Sequence, residues 1–201
     1  MRFDDETINY AEETYGSAAA DCLRDWELMV NRANPEGTHL EKLETVNQFF
    51  NSRMIYAKDI QVWGIKEFWA TPFEFMCKGA GDCEDYAIAK FFTLKEVGVP
   101  ERNLNIMYGK RIHFGTAHMV LGYYRTPEAV PLILDNITDM ITPESERPDL
   151  RLSLGFNTYG LWPAGQYGKG GAMLAASRLR EWRNLQTRLA EASKLYGEAK
   201  A

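Results

Sequence analysis

The first part of the chain has the hydrophobic periodicity of amphipathic helices. Between Ser17 and Val30, apolar residues recur at spacings of four, three and four, which places them on one helix face. A second helix is predicted to begin at Thr38, which forms a capping-box pattern with Glu41, and to end near Ser52. Helices are therefore expected to dominate this part of the chain.

A third predicted helix carries most of the candidate chemistry. It begins at Cys83, directly after the turn-forming residues 79–82, and stops at the Gly-Val-Pro break at 98–100. The preceding segment, residues 63–75, is dense in aromatic side chains and is interrupted by Pro72. We therefore expect an irregular segment packed on the core there.

After residue 100 the pattern changes to short apolar runs separated by polar, glycine or proline breaks. Residues 104–108, 117–124 and 131–137 each suit a strand, whereas residues 138–170 contain many turn formers and few periodic segments. Helices followed by strands and a final helix predict an α+β fold with a central antiparallel sheet.

Helical periodicity returns near residue 172 and predicts a C-terminal helix. Its apolar stripe consists of Ala175, Leu179, Trp182, Leu185, Leu189, Ala192 and Tyr196. Because an exposed stripe of this size would promote association, we expect this helix to pack on its own domain. The predicted organisation is one domain over 1–170, with a helical lobe at about 1–98 and a sheet lobe at about 99–170, followed by the helix at 171–201.

Composition and charge exclude several classes of protein. In 201 residues, 45% apolar and 12% aromatic content support a packed core. The net charge of -5 argues against nucleic acid as the main partner, since phosphate binding needs a basic surface. We expect no membrane insertion, because no stretch approaches the ~18 apolar residues of a membrane span. The first ten residues lack the apolar segment of a secretory signal, so none is expected within this sequence.

The cysteine and histidine residues narrow the chemistry. Three cysteines do not make a disulfide framework, and we predict no disulfide between Cys22 and Cys77, since both fall in segments expected to be buried. Neither a C-x-x-C pair nor an H-E-x-x-H zinc motif occurs. A single cysteine acting with one histidine and an orienting acid is still possible.

Cys83 is the candidate nucleophile because it opens a helix. Unpaired amides and the helix dipole at that position favour the thiolate, and the same amides can help to hold an oxyanion. The alternative is that Cys83 is simply a small buried apolar residue.

Two residues further along the chain suit the roles of base and orienting acid. His118 begins an apolar run, and Asp135 ends the run Leu132-Ile133-Leu134. A carboxylate at the end of a buried strand needs a partner, and holding the imidazole of His118 would supply one. The alternative for His118 is a purely structural role. The order Cys, His, Asp is that of a thiol hydrolase or acyltransferase.

Three acidic residues, Asp82, Glu84 and Asp85, surround the candidate nucleophile. Their negative charges would raise the pKa of Cys83, which opposes activation. A hard divalent cation such as calcium would remove this conflict, because calcium prefers clustered carboxylates. The alternative is that these acids only complement the helix N-terminus.

The sequence contains the strings GDCEDYA at 81–87, AHMVL at 117–121 and LDN at 134–136, with further matching segments at 46–51, 68–72 and 156–157. Together these strings resemble the LapG-type bacterial transglutaminase-like cysteine proteinases. The resemblance covers roughly residues 38–162 and implies a papain-like or transglutaminase-like fold.

The resemblance also implies a function. It assigns Cys83 as nucleophile, His118 as base and Asp135 as orienting acid, in a calcium-dependent periplasmic endopeptidase. Calcium would be bound by Asp82, Glu84 and Asp85. Such enzymes cut large surface adhesins near their N-termini, within a segment of paired alanines, and so release cells from biofilm. The periplasmic domain of an inner-membrane cyclic-di-GMP receptor sequesters them. A chain that starts at a mature N-terminus would account for the missing secretory signal.

Three alternative functions are compatible with the same sequence features. A transglutaminase-like acyltransferase would use the same three residues but pass the acyl group to an amine. A cell-wall amidase or peptidase of related fold would act on peptidoglycan fragments. A non-catalytic binding module would keep the fold and lose the alignment of the three residues.

Overall fold

The computed structural model describes residues 3–33, 36–167, 169 and 171–195. Within them, helices form most of the first half of the chain and its last described segment. The helices are α1 Asp5–Tyr15, α2 Ser17–Arg32, α3 His39–Arg53, α4 Asp59–Val62, α5 Pro72–Lys78, α6 Cys83–Glu96 and α7 Arg180–Leu195.

The strands form one large sheet and one short ladder. They are β1 Ile55–Tyr56, β2 Ala80–Gly81, β3 Leu104–Arg111, β4 Thr116–Tyr123, β5 Leu132–Leu134, β6 Thr142–Pro143, β7 Leu150–Asn157 and β8 Gly160–Pro163. The six-stranded sheet has the order β6-β5-β4-β3-β7-β8, with every neighbouring pair antiparallel. The predicted α+β fold with an antiparallel sheet is confirmed.

The core lies between the helices and the sheet, with α6 in the middle. α6 packs on α3 on one side and on β4 on the other. Large side chains from five elements are fully buried there, namely Trp26, Phe50, Phe75, Phe91 and Phe156. The N-terminus of α6 and the middle of the sheet are therefore held together by apolar packing, which is the largest favourable term in folding.

Two segments differ from the sequence prediction. Helix α5 begins at Pro72, so residues 72–75 of the segment expected to be irregular, 63–75, are helical. Proline is tolerated there because it occupies the first turn, where no amide hydrogen is needed. Thr71 and Glu74 close a capping box around that turn. Residues 150–163 form the hairpin β7–β8 inside segment 138–170, for which the sequence pattern predicted no strand.

The C-terminal helix contacts the core through its apolar stripe. Trp182 packs edge-on against Phe91 and Phe156 and stacks on Phe92, and Leu185 is fully buried. The α-helix begins at Arg180, later than the periodicity suggested, because a 3-10 turn precedes it. Tyr196, the last position of the predicted stripe, and residues 196–201 lie outside the described residues.

Two further expectations concern thiols and membranes. Cys22 and Cys77 are both buried and are free thiols in the structure. Among the helices of the described residues, none combines the length and apolarity that crossing a membrane requires.

Candidate active site and cation site

Local backbone structure places Cys83 at the first position of α6. The short parallel ladder β1–β2 ends at Gly81, and Asp82 then caps the helix. Asp85 accepts a hydrogen bond from the Asp82 amide at 3.3 Å. Gly81 is required for this approach, since a Cβ atom at that position would lie 2.3 Å from the Asp85 carboxylate. Cys83 is consequently half-buried at the open end of a helix.

The immediate surroundings of Cys83 are acidic. Its Sγ atom lies 3.1 Å from Glu84 Oε2. Burial, the charge of Glu84 and this hydrogen bond raise the pKa of Cys83 above its ordinary value, whereas a hydrogen bond from the Met119 amide opposes the rise. Burial and these acidic neighbours therefore disfavour the thiolate.

His118 lies on β4, the strand that α6 packs against, one residue before the amide that reaches Cys83. Its Nε2 atom is 2.9 Å from Asp135 Oδ1, and both side chains are buried. Because Nε2 is occupied by the carboxylate, Nδ1 is the nitrogen available to a thiol. The structure thus pairs His118 with Asp135 and brings the strand of His118 against the sulfur of Cys83.

Asp135 has a second charged partner, Arg147, which the sequence reasoning missed. The guanidinium donates to Asp135 Oδ2 at 2.8 Å and to both carboxylate oxygens of Asp149 at 2.9 Å. Burial alone would raise the pKa of Asp135, but the hydrogen bonds and charges of His118 and Arg147 lower it to about 2. Asp135 is therefore ionised at neutral pH and can orient an imidazole.

The acidic cluster beside Cys83 is larger than the sequence suggested. Asp59, at the start of α4, and Glu67 join the acids near the nucleophile. Asp59, Asp82 and Asp85 form one group whose ligand atoms lie within 4.8 Å of one another, and Asp59, Glu67 and Glu84 form another. No motif marks Asp59 or Glu67 in the sequence, because folding brings them to the cluster from outside the GDCED string.

This cluster fits a divalent cation. Asp59 Oδ1 and Asp82 Oδ1 are buried and have no hydrogen-bond partner among the described residues. Burial, together with neighbouring acids, raises the pKa of Asp59 to about 6 and that of Asp82 to about 8. Unpartnered buried oxygens and mutual repulsion of carboxylates are what a hard cation with oxygen ligands relieves.

Asp85 differs from the other predicted ligands. Its Oδ1 atom accepts a hydrogen bond from the Ala70 amide at 2.8 Å, and its Oδ2 atom accepts the one from Asp82. It is fully buried, and burial raises its pKa well above the ordinary value. Asp85 therefore has a structural role in joining the loop before α5 to the start of α6, in addition to its place in the cluster.

Comparisons with known proteins give matches that cover most of the chain. The family model for the bacterial transglutaminase-like cysteine proteinase BTLCP matches residues 11–148. A calcium-bound structure of LapG from Legionella pneumophila is 37% identical, with a TM-score of 0.79, over 92% of this chain and 98% of that one. An EGTA-treated structure of the same protein is 36% identical, with a TM-score of 0.80, over 94% and 98%.

No protein of curated function matches the chain by sequence. The family model nevertheless spans well over half of the chain, and the LapG structures cover nearly all of it. The resemblance inferred from the sequence motifs is therefore confirmed. The chain belongs to the bacterial transglutaminase-like cysteine proteinases and is a cysteine protease.

Proposed function

We propose that the protein is a calcium-dependent cysteine endopeptidase in which Cys83, His118 and Asp135 act together. The observation that carries the proposal is the hydrogen bond from His118 Nε2 to Asp135, which leaves Nδ1 free on the strand packed against Cys83. In this arrangement the carboxylate fixes the tautomer of the imidazole and stabilises its protonated form.

The three residues divide the reaction as follows. His118 takes the proton of the Cys83 thiol, and the sulfur attacks the carbonyl carbon of the scissile peptide. The Cys83 amide, at the start of α6, donates to the oxygen on which negative charge develops. His118 then gives its proton to the leaving amine, and water hydrolyses the thioester to release the second product.

Calcium would be held by the acidic cluster, with Asp59, Glu67, Asp82 and Glu84 as side-chain ligands and Asp85 at its edge. Its positive charge would offset the acids that raise the pKa of Cys83. The proposal draws support from the two unpartnered carboxylate oxygens and from the calcium-bound and EGTA-treated structures of the Legionella protein.

The proposed substrate is the N-terminal region of a large cell-surface adhesin, cut within a segment of paired alanines to release cells from biofilm. The proposed setting is the periplasm, under control of the periplasmic domain of an inner-membrane cyclic-di-GMP receptor. Support for these assignments is the family membership and the motifs around residues 81–87, 117–121 and 134–136.

The test is digestion of a recombinant adhesin N-terminal fragment that contains paired alanines. We expect one cleavage by the wild-type protein with calcium, none with EGTA, and none by the Cys83→Ala variant. A Cys22→Ala variant, which changes another cysteine of the helical layer, serves as the matched control and should cleave normally. Cleavage by Cys83→Ala would overturn the assignment of the nucleophile.

The same digestion separates hydrolysis from acyl transfer, which would use the same three residues. Repeating it with added methylamine and measuring product masses shows whether the new C-terminus is a free acid or a methylamide. A free acid under both conditions supports the endopeptidase, whereas a methylamide in high yield would favour the acyltransferase.

A further inference from the structure

A buried lysine lies behind Asp135, on the helix that begins with Cys83. Lys90 is 1% exposed, and its Nζ atom donates to the backbone carbonyl of Asp135 at 3.1 Å. Nζ also lies 2.7 Å from Asn51 Oδ1, and it sits over the ring of Tyr86. Within the described residues, its two hydrogen-bond acceptors are neutral oxygens.

Asn51, near the end of α3, completes the contact with the Asp135 backbone. Its Nδ2 atom donates to the Asp135 carbonyl at 2.9 Å and also reaches Thr138 O at 3.2 Å and Asp139 Oδ1 at 2.9 Å. Because Nδ2 donates to oxygens of the 135–139 loop, the amide oxygen of Asn51 faces Lys90 Nζ. Asn51 is the last residue of the motif at 46–51, to which the proposed reaction gives no role.

Lys90, which contacts the Asp135 backbone, lies on the same helix as Cys83. Lys90 lies seven residues after Cys83, which is about two helical turns, or ~10 Å along the axis. α6 therefore carries the candidate nucleophile at its N-terminus and contacts the backbone of the candidate orienting acid two turns later. One rigid helix thereby sets the distance between the two ends of the Cys–His–Asp arrangement.

A methionine would fill the space of Lys90 without burying an amine. Burying an amine is costly, and burial lowers the pKa of Lys90 to about 7, although the charges of Asp135 and Asp139 oppose this shift. A neutral amine still has two hydrogens, one for each of its two acceptors, so the contact persists in either protonation state. The hydrogen bonds from Nζ to Asn51 and to the Asp135 carbonyl therefore explain why an amine is buried at this position.

We propose that Lys90 and Asn51 are positioning residues that fix the main chain of Asp135 and, through it, the orientation of the His118 imidazole. The inference rests on the proposed function, because it needs Asp135 to act on His118. Both residues act through the main chain of Asp135, whereas the side-chain carboxylate of Asp135 accepts a hydrogen bond from Arg147.

The experiment measures kcat and KM for cleavage of the adhesin fragment by Lys90→Met in the full chain with calcium. We expect kcat to fall about 10- to 100-fold, as small misplacements of catalytic groups do, with KM changed less than about twofold. The Tm should change little, because the hydrogen bond lost by Asn51 Oδ1 offsets the gain from no longer burying an amine. Lys42→Met, at a second buried lysine, on α3, is the matched control.

A double variant separates positioning from a structural role. If Lys90 acts through Asp135, Lys90→Met should cause no further loss of residual kcat in an Asp135→Ala background. Asn51→Ala removes the other donor from a partly exposed site and should show the same selective loss of kcat. It also provides the test if Lys90→Met does not fold.

Three results would overturn the inference: wild-type kcat in both folded variants, an undiminished extra loss in the Asp135→Ala background, or equal losses in the Lys42→Met control. Failure of the proposed function is distinguishable from these results. If Cys83→Ala still cleaves, the proposed function is wrong. If Cys83→Ala is inactive while Lys90→Met and Asn51→Ala are fully active, only the positioning inference is wrong.

Discussion

Arg147 lies 2.8 Å from Asp135 Oδ2, on the carboxylate oxygen that His118 does not use. The Asp135 carboxylate is thus shared between a neutral or protonated imidazole and a permanent cation. Such an arrangement keeps the acid ionised in a buried position, where it would otherwise take up a proton. His118 and Arg147 together therefore keep the buried Asp135 ionised, so that it can act as an orienting acid.

Replacing Arg147 by Met should weaken both stability and activity. The pKa of Asp135 is depressed from 3.8 to about 2, so its contribution to stability is complete above pH 3.8 and disappears as the pH falls through 2. That contribution is about 2 kcal/mol. Because His118 also lowers this pKa, Arg147→Met should lose part of this contribution, and acid unfolding should begin at higher pH, as followed by circular dichroism.

The control for Arg147 is an exposed arginine with a surface ion pair. Arg24 lies 3.7 Å from Glu12, and both side chains are about half exposed. Arg24→Met should change the free energy of unfolding by less than about 0.5 kcal/mol. Equal effects of the two substitutions on stability and on cleavage would contradict the role given to Arg147.

Calcium should raise the Tm of the protein, since the acidic cluster is present in the folded state alone. Removing a ligand that the sequence did not predict is the sharpest version of this test. Asp59→Asn keeps the size of the side chain but removes its charge, and should reduce or abolish the calcium-dependent rise in Tm. Differential scanning calorimetry with calcium and with EGTA measures both effects.

Glu13→Gln, at an exposed acid on α1, is the matched control for Asp59 and should keep the full calcium response. A calcium response in Asp59→Asn equal to that of the wild type would remove Asp59 from the ligand set. The absence of any response in the wild type would contradict a calcium site in this cluster.

The C-terminal helix should contribute strongly to stability through Trp182. This side chain is 2% exposed and fills the space between α6 and β7. Trp182→Ala should lower the free energy of unfolding by about 3–5 kcal/mol, because it leaves a large cavity. Met173→Ala, at an exposed residue before the helix, should change it by less than about 0.5 kcal/mol in the same denaturant titration.

The sequence predicted the site residues that lie next to a recognisable local pattern of residues. A glycine turn before a helical pattern located Cys83, and short apolar runs located His118 and Asp135. Their alignment depends on β4 lying against α6, which the sequence made plausible through its resemblance to the family. The same kind of local signal predicted the fold class, since helices, strands and a last helix follow one another along the chain.

The parts that the sequence did not predict depend on tertiary contacts. Asp59, Glu67 and Arg147 have ordinary surroundings in the sequence, and only the folded chain brings them to the acidic cluster and to Asp135. Pro72 misled the prediction because proline ends a helix in its interior but is tolerated at its start. The sequence around Pro72 distinguishes a helix start from a helix end only if Thr71 is recognised as the capping residue.

The thiol of Cys83 should respond to calcium directly, which can be measured without any substrate. Without a cation, burial and the charge of Glu84 raise its pKa, so alkylation by iodoacetamide at neutral pH should be slow. Calcium should speed it by at least about tenfold, which corresponds to lowering the pKa by about one. Cys22 and Cys77 are internal references, because burial raises their pKa values to about 11 and about 12.

Glu84→Gln completes the alkylation test, because it removes the charge nearest to the sulfur and one candidate calcium ligand together. In EGTA this variant should react faster than the wild type, and calcium should change its rate less. Peptide-resolved mass spectrometry assigns the modification to each cysteine. Equal rates at Cys83 with and without calcium in the wild type would show that the cation does not control the thiol, and calcium would then have only a structural role.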